Sequence, residues 1–413
     1  MKRIVHIVNG TITGYDGYAQ RVKRQLELWS CYDEFNVHIE NFTSWKKLMP
    51  AKLKKVMRDT MQYFSDKKFT INFNIGLPVV LFFANPDMYF KYCANTIIRK
   101  NKNKRMDVLY AENLLCGYIA YHVNKKQNTP YIIDYHGVAP EEFRESGTSF
   151  GRVNYSYYKK IEKITLENAK FIVCVSNSFK SYICNNFDVA SENVVVIPSC
   201  IHQEKIEFDN DLRKEKRKIL KLEDKKVIIY AGGIGLWHCT DEIAHLFKRI
   251  IDYDENFYLI FLTHNHNKET VINIMNKHNV NVRNYMVDAV RHDQVYSYYM
   301  AADIGIILRD ESLINRISSP TKIPEYLSSG LTLLTTDTIG DVSSIPTNKI
   351  VLNYNNIKDG TINASIICNM LEKLKDREAN FQKSKLYLKE NFVWGNMWYK
   401  YQTIFETKET KYE

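Results

Sequence analysis

None of the eight cysteines stands in a C-x-x-C spacing; they are scattered at positions 31, 93, 116, 174, 184, 200, 239 and 368. That scatter argues against a disulfide framework and against a cysteine-held zinc. Cys174 lies inside the apolar run FIVCVS, where a buried, reduced thiol is expected. Proline and glycine are sparse, at 9 and 16 residues, and no low-complexity linker interrupts the chain. With 45% hydrophobic residues, a disordered chain is excluded. The segment IGLPVVLFFANP contains Pro78 and reaches only about half the length of a membrane span. The opening MKRIVHIVNG has too short an apolar part for a secretory signal and reads as a first strand. A cytoplasmic, packed protein is the expectation.

What is present is aromatic and unevenly charged. Tyrosine alone accounts for 28 residues, and the formal net charge is +10. All of that excess falls in residues 44–105, where fourteen lysines and arginines face three aspartates, and the rest of the chain is nearly neutral. One reading is a basic, partly amphipathic insertion, with Leu48, Leu53, Val56 and Met57 among its lysines, that meets an anionic membrane surface. The other is a solvated basic face beside an internal apolar strand. Aromatics are not interleaved with the basic run in any recognisable module, so no nucleic-acid partner is expected.

Apolar runs alternate with helix-like segments, which predicts parallel sheets covered by helices on both faces. Strands are expected near residues 3–8, 107–112, 130–135, 171–175 and 194–198. A second series is expected near 227–231, 258–262, 281–285, 304–308, 331–335 and 350–352. Residues 17–29 carry Tyr18, Val22, Leu26 and Trp29 at helical spacing. The charged stretch 200–226 lacks a core pattern and reads as a connection plus a solvated helix. Residues 45–90 show no tidy alternation. The class is α/β, with two doubly wound domains facing one cleft. Ligands in such sheets sit beyond the carboxyl ends of the strands.

Several motifs lie at those ends. The first strand runs into a loop containing Gly10, Gly14 and Gly17 and then opens a helix. Small residues there let backbone approach a ligand, but the full G-x-G-x-x-G spacing is missing. The strand YIID leads to Tyr135, His136 and Gly137; Glu112 and Asp134 stand at strand ends beside it. The second half opens with VIIYAGGIG, which places Gly232 and Gly233 after a strand. Then comes SSPTKIPEYLSSG, residues 318–330: a short helix carrying Lys322 and Glu325 at its start, ended by Gly330 and followed by an apolar strand. There is no H-x-x-x-H pair. Neither an Asp-x-Asp metal element, a serine-nucleophile elbow nor a GxxxxGK loop is expected to carry chemistry.

This ordered series resembles the GT-B glycosyltransferases, family 4 in particular, of the bacterial surface-polysaccharide type. The resemblance implies two Rossmann-like domains: an acceptor domain over 1–200 with the basic insertion 44–105, and a nucleotide-sugar domain over 201–385. A C-terminal helix over 386–413, the aromatic FVWGNMWYKYQTIFETKE, would cross back to the first domain. It implies catalytic roles for His136, which would contact the donor sugar, and Glu325, which would hold the donor ribose. Donor binding would further involve Gly14, Gly17, Gly232, Gly233, Arg309, Arg316, Ser319 and Lys322.

The chain departs from the family pattern at two places. An arginine and a lysine often follow the strand before the second glycine loop and clamp the diphosphate; here Trp237 and His238 stand there, leaving Arg309, Arg316 and Lys322 as substitutes. The family's second acid, eight positions before the ribose-binding glutamate, is replaced by Ile317, with Asp310 and Glu311 nearby.

The implied reaction is metal-independent, retaining transfer of a sugar from a nucleotide diphosphate sugar to an acceptor hydroxyl. No cofactor is implied. The acceptor would be a saccharide or lipid-linked saccharide in lipopolysaccharide, capsule or glycolipid assembly, at the inner face of the cytoplasmic membrane. The alternatives are a GT-B nucleotide-sugar epimerase, which would add acid/base carboxylates, and a non-catalytic membrane-associated binding module.

Overall fold

The structure is a computed structural model that describes residues 1–10, 12, 14, 17–43, 50–63, 69–75, 85–146 and 154–406. The chain divides into two compact units, Met1–Ile197 with Met397–Glu413, and Pro198–Asn396.

The first unit is built on seven parallel strands: β1 (Lys2–Asn9), β2 (Phe35–Thr43), β3 (Thr70–Ile75), β4 (Val108–Glu112), β5 (Tyr131–Asp134), β6 (Phe171–Cys174) and β7 (Val194–Val196). Their order is β3-β2-β1-β4-β5-β6-β7. Strand order reverses at β1, which pairs with β2 on one side and β4 on the other. The helix Gly17–Ser30 returns the chain from the end of β1 and buries Val22, Leu26 and Trp29. Trp29 packs edge-on against Tyr110 of β4, and against Tyr401 and Phe405 of the helix Trp398–Glu406. Lys2 Nζ also donates to the Phe405 carbonyl (2.8 Å), and Tyr32 stacks on Trp398. The aromatic tail is therefore a component of the first core. Aromatic side chains bury the largest areas, so this helix is a substantial share of that unit's stability.

Strand β3 and the helix Pro50–Tyr63 fall in residues 45–90, where no regular alternation was expected, and β2, just before them, is a strand that was not expected. The reason is chemical. β2 reads FNVHIENFT, and its His38, Glu40 and Asn41 are buried polar groups rather than an apolar run. Glu40 accepts hydrogen bonds from Asn72 (3.0 Å) and Asn74 (2.6 Å) of β3 and from Asn101 (3.1 Å), which satisfies a carboxylate with no exposed surface. Much of the basic segment around this pair, including residues 44–49, 64–68 and 76–84, lies outside the described residues.

The second unit holds six parallel strands: β8 (Lys226–Ala231), β9 (Phe257–Leu262), β10 (Tyr285–Asp288), β11 (Ile304–Ile307), β12 (Thr332–Thr336) and β13 (Lys349–Leu352). Their order is β10-β9-β8-β11-β12-β13. Strand β10 begins where the expected strand 281–285 ends. Asn281 instead caps a 3₁₀ turn by accepting from the Arg283 amide (3.0 Å), so pairing with β9 starts only at Tyr285. Two apolar clusters, aliphatic and aromatic, form the core of this unit. The helix Asn210–Leu220 is not a merely solvated connector. Arg213 and Arg217 both engage Asp303 (2.5 and 3.2 Å) and cap the carbonyls of residues 300–302. Arg377, fully enclosed, serves the carbonyls of Gly330 and Ser329 from the helix Arg377–Asn391.

Candidate functional site

Each unit presents its chemistry-bearing residues at the carboxyl ends of its strands. In the first unit, β4 ends at Glu112 and β5 at Asp134, residues paired in register. His136 follows two residues after β5, with one-fifth of its side chain exposed. Its Nδ1 lies 3.4 Å from Asp134 Oδ1 and 4.0 Å from Glu112 Oε2, distances of ion pairing. Asp134 has no exposed surface, and Arg21 Nε donates to both its oxygens (3.2 and 3.1 Å). The Tyr110 hydroxyl (2.9 Å) and Gln25 Nε2 also donate to Asp134. Glu112 Oε1 sits 2.8 Å from His6 Nε2 beneath the sheet end.

These neighbours set the protonation states. Burial opposes ionisation of Asp134, but the Arg21 guanidinium and His136 outweigh it and hold the carboxyl far below the usual range. Burial likewise opposes the charged form of His136, yet its contact with Asp134 prevails and raises its pKa. Burial, and then the charge of Asp134, push Glu112 well above the ordinary carboxyl range. His6 is driven by burial down to about 3 and is neutral. The result is a charge-balanced base plate under one largely buried imidazole that keeps its proton to higher pH than a free histidine.

Glu112, Asp134 and His136 also bring one ligand atom each within 4.8 Å, a spacing that invites comparison with a metal site. The comparison fails on chemistry. The Asp134 oxygens already take three donors, and a guanidinium 3.1 Å away repels a cation.

Around the first loop, Gly10 adopts φ +85°, which glycine alone tolerates readily. The Gly14 carbonyl accepts from Gln20 Nε2 (2.9 Å), and Gly17 opens its helix with space where a Cβ would lie. Tyr18 stands over His136 with ring centroids 5.8 Å apart. Ser176 is the N-cap of the helix Asn177–Asn186, accepting from the Phe179 amide (3.0 Å).

In the second unit, β8 ends at Ala231 and runs into Gly232 and Gly233. The Tyr230 hydroxyl donates to the Gly233 carbonyl (2.6 Å) and fixes the loop's shape. His238 folds over Gly235, where a Cβ would come within 3.1 Å of its Nδ1. Burial, and then the charge of Arg309, lower its pKa to about 4, so it is a neutral imidazole. Arg309 follows β11 and is 9% exposed. Its backbone is pinned by Thr336 and Thr338 (3.0 and 2.7 Å), and its Nη1 donates to the Leu308 carbonyl (2.8 Å).

The helix Lys322–Ser328 precedes β12, so its first turn lies at the carboxyl end of the sheet. Tyr326 ties it to β8, its hydroxyl oxygen accepting from the Ala231 amide (3.0 Å). Glu325, about a quarter exposed, accepts at Oε2 from the Tyr299 hydroxyl and from Lys322 Nζ, both at 2.8 Å. The cation beside Glu325 is therefore already engaged.

Ser319 Oγ accepts from the Ser199 amide (3.2 Å). Arg316, 59% exposed, pairs only with Glu311 (3.4 Å) among the described residues. Asp310 takes the Asn315 amide (2.6 Å) and the Ser312 N–H (3.1 Å), so it closes a turn, and Ile317 is buried. The position of the family's second acid is thus filled by an apolar side chain.

Two of the patterns not expected to carry chemistry are nevertheless present in the chain. Asp-x-Asp does occur, at 209–211 and 252–254. Asp209 caps the helix Asn210–Leu220, Asp252 pairs with Lys248 and Asp254 with Lys226. The pattern G-x-S-x-G occurs at 147–151, outside the described residues. Two further residues were not anticipated: Arg21, whose partner Asp134 is 113 positions away, and Glu142, which flanks His136 from the helix Ala139–Glu145.

Comparison with known proteins agrees with this architecture. Residues 63–205 match the Glycosyltransferase Family 4 profile. An uncharacterized glycosyltransferase of Methanocaldococcus jannaschii is 23% identical over 304 residues, 72% of this chain and 73% of that protein. The chain is a glycosyltransferase of the GT-B fold. Among solved structures, Anabaena HepE in complex with UDP superposes with a TM-score of 0.72 at 10% identity, over 97% of this chain and 99% of that one. WaaG, a glycosyltransferase involved in lipopolysaccharide biosynthesis, does so with a TM-score of 0.65 at 13% identity, over 98% and 100%. At these identities the structural likeness speaks for the fold of this glycosyltransferase. No described helix is long and apolar enough to cross a membrane.

Proposed function

We propose that this glycosyltransferase moves a sugar from a nucleotide diphosphate sugar to a hydroxyl of a saccharide or lipid-linked saccharide, without a metal and with retained anomeric configuration. The observation that carries the donor class is Glu325. It is a carboxylate oriented by Tyr299 and Lys322, partly open to solvent, on a helix whose start shares the strand ends with buried Arg309. Such a carboxylate suits a vicinal diol like ribose, and a desolvated guanidinium suits a diphosphate. HepE, of like fold, binds UDP, UDP with glucose, and UDP-glucose.

On the first unit, His136 as imidazolium supplies a hydrogen-bond donor to a sugar oxygen. The charge developing on the leaving diphosphate falls to Arg309 and to the backbone donors of the glycine loop, with Arg316, Lys322 and Ser319 as outer contributors. A role in lipopolysaccharide or another surface polysaccharide draws on the likeness to WaaG. The basic residues between 44 and 105 suit an anionic membrane surface, which flotation on vesicles with and without anionic lipid will test.

The deciding experiment is calorimetry against UDP, GDP, ADP and their sugars, followed by nucleotide release with a saccharide panel, with and without EDTA. Micromolar binding of one nucleotide, weakened at least tenfold by Glu325→Ala, is expected. A chain that binds none of them below millimolar concentration refutes the donor class. An isomerised sugar nucleotide formed without acceptor would instead establish the epimerase.

A further inference from the structure

The acids packed around His136 are engaged, with one exception. Glu112 meets His6, Asp134 meets Arg21, Glu141 meets Tyr155 (2.9 Å) and Lys159 (3.5 Å), and Glu162 meets Tyr135 and Lys159. Glu142 has no side-chain hydrogen bond or ion pair with any described residue. It is half-buried, and its charge acts on His136.

Its carboxylate folds back over Gly137, the residue that follows His136. A Cβ on Gly137 would clash with Glu142 Oε1 and come within 3.2 Å of its Cδ. Gly137 does not have a left-handed φ, so its backbone does not call for glycine. The space a Cβ would need is instead taken by that carboxylate, which a larger residue would displace. His136, Gly137 and Glu142 are all partly exposed, so the imidazole and the carboxylate open on the same solvent-accessible surface. A half-buried carboxylate with two unengaged oxygens is costly unless something hydrogen-bonds to it.

We infer that Glu142 is a sugar-binding residue that accepts hydrogen bonds from a saccharide hydroxyl beside His136, and that Gly137 is glycine to admit its carboxylate. The inference rests on the glycosyl-transfer reading above. Burial raises the pKa of this carboxyl and the neighbouring His136 lowers it, so the imidazolium offsets part of the cost of keeping it ionised.

The test uses the full chain and four variants: Glu142→Gln, Glu142→Ala, Gly137→Ala and the Gly137→Ala/Glu142→Ala double. A hydrogen bond to a charged group predicts a loss of about 10–100-fold in KM for one sugar substrate with Glu142→Ala, and a smaller loss with Glu142→Gln. If the acceptor KM moves, the hydroxyl belongs to the acceptor; if the donor KM moves, it belongs to the donor sugar. Gly137→Ala should reproduce the Glu142→Ala defect by displacing the carboxylate. The double variant should then be no worse than Glu142→Ala, since the clash is gone.

Defects that multiply would mean that Gly137→Ala acts through His136, and would overturn the role assigned to Gly137. KM values within twofold of wild type for both Glu142 variants would overturn the role assigned to Glu142. Should the wild-type chain turn over no nucleotide sugar, the donor reading falls by itself. The same four variants are then scored by NMR line broadening of the saccharide panel, where unchanged broadening by Glu142→Ala overturns the inference independently.

Discussion

Both units are parallel sheets with helices on their faces, yet they handle charge at the strand ends in opposite ways. The first unit encloses it. Asp134, Glu112 and His6 have no exposed surface, and His136 alone emerges from them. The second unit, at the carboxyl ends of its strands, sets most of its candidate charges at the margin of an apolar core. Glu325, Lys322 and Arg316 all reach solvent, and only Arg309 among the candidate residues is nearly enclosed. An enclosed network fixes the protonation and direction of one group in advance, at a cost in desolvation. A marginal set leaves charges free to meet a charged ligand. This is the division expected if the first unit orients a neutral sugar and the second holds an anionic nucleotide.

The comparison is broken most directly at its acidic hubs. Asp134→Ala removes the partner of enclosed Arg21 together with the acceptor of Tyr110 and Gln25, and should cost about 3–5 kcal/mol of stability. Asp303 is the matching hub of the second unit, bound to Arg213, Arg217 and the Val227 amide, but its side chain is 21% exposed. Asp303→Ala should cost about 2 kcal/mol, because Arg213 and Arg217 keep the carbonyls of Met300 and Ala301 as partners. Denaturant titration of each variant measures both. Equal losses would mean that the first unit's enclosure has no energetic content.

Next in size are the ligand contacts. Arg309→Ala should weaken nucleoside diphosphate binding by about 10–100-fold while leaving a phosphate-free nucleoside unaffected. Glu325→Ala should weaken both, since the diol is common to them. Calorimetry with UDP and uridine, or the corresponding pair for whichever base binds, separates the two roles.

How much of this was readable in the residues depends on burial chemistry. Strands β8, β9 and β11 announce themselves as unbroken apolar runs because helices cover both of their faces. β2 does not, because its interior places are taken by His38, Glu40 and Asn41, whose partners come from β3 and Asn101 and cannot be seen locally. His136 and Glu325 stand out in the sequence as candidates for a positional reason, one just after a strand and the other in the first turn of a helix before a strand. Arg21 was not, since a lone arginine in an amphipathic helix resembles a surface residue until Asp134 is folded against it. Glu142 sits in PEEFRE, which reads as an ordinary acidic first turn; only the space over Gly137 distinguishes it.

The enclosed network also makes a pH-dependent prediction. Glu112 has a folded pKa raised well above its unfolded value, so the folded state holds a proton that the unfolded chain releases. Its contribution to stability is greatest below the unfolded carboxyl pKa of about 4.3 and is lost as pH rises toward the folded value. Glu112→Gln keeps a hydrogen-bonding group beside His6 and removes that loss. It should stabilise the protein by about 1 kcal/mol at pH 7–8, with the gain shrinking toward pH 4. Thermal midpoints across that range decide it, and a variant less stable than wild type at pH 8 would show that Glu112 is ionised in the fold.

The smallest effect sharpens the comparison within the second unit. Arg316 and Arg309 were equal candidates in the sequence, but one is 59% exposed with a single partner and the other is 9% exposed. A surface pair such as Arg316–Glu311 contributes about 0–1 kcal/mol and is screened by salt. Arg316→Ala should therefore leave stability within about 0.5 kcal/mol and nucleotide affinity within about threefold of wild type. If the diphosphate were held by the general field of the strand ends, both arginine variants would lose affinity alike, and both losses would fade on raising salt from about 0.05 to 0.5 M. If a desolvated contact holds it, the Arg309→Ala loss persists at high salt and the small Arg316→Ala loss disappears. Affinities of the two variants at two ionic strengths thus tell a built phosphate contact from a merely basic surface.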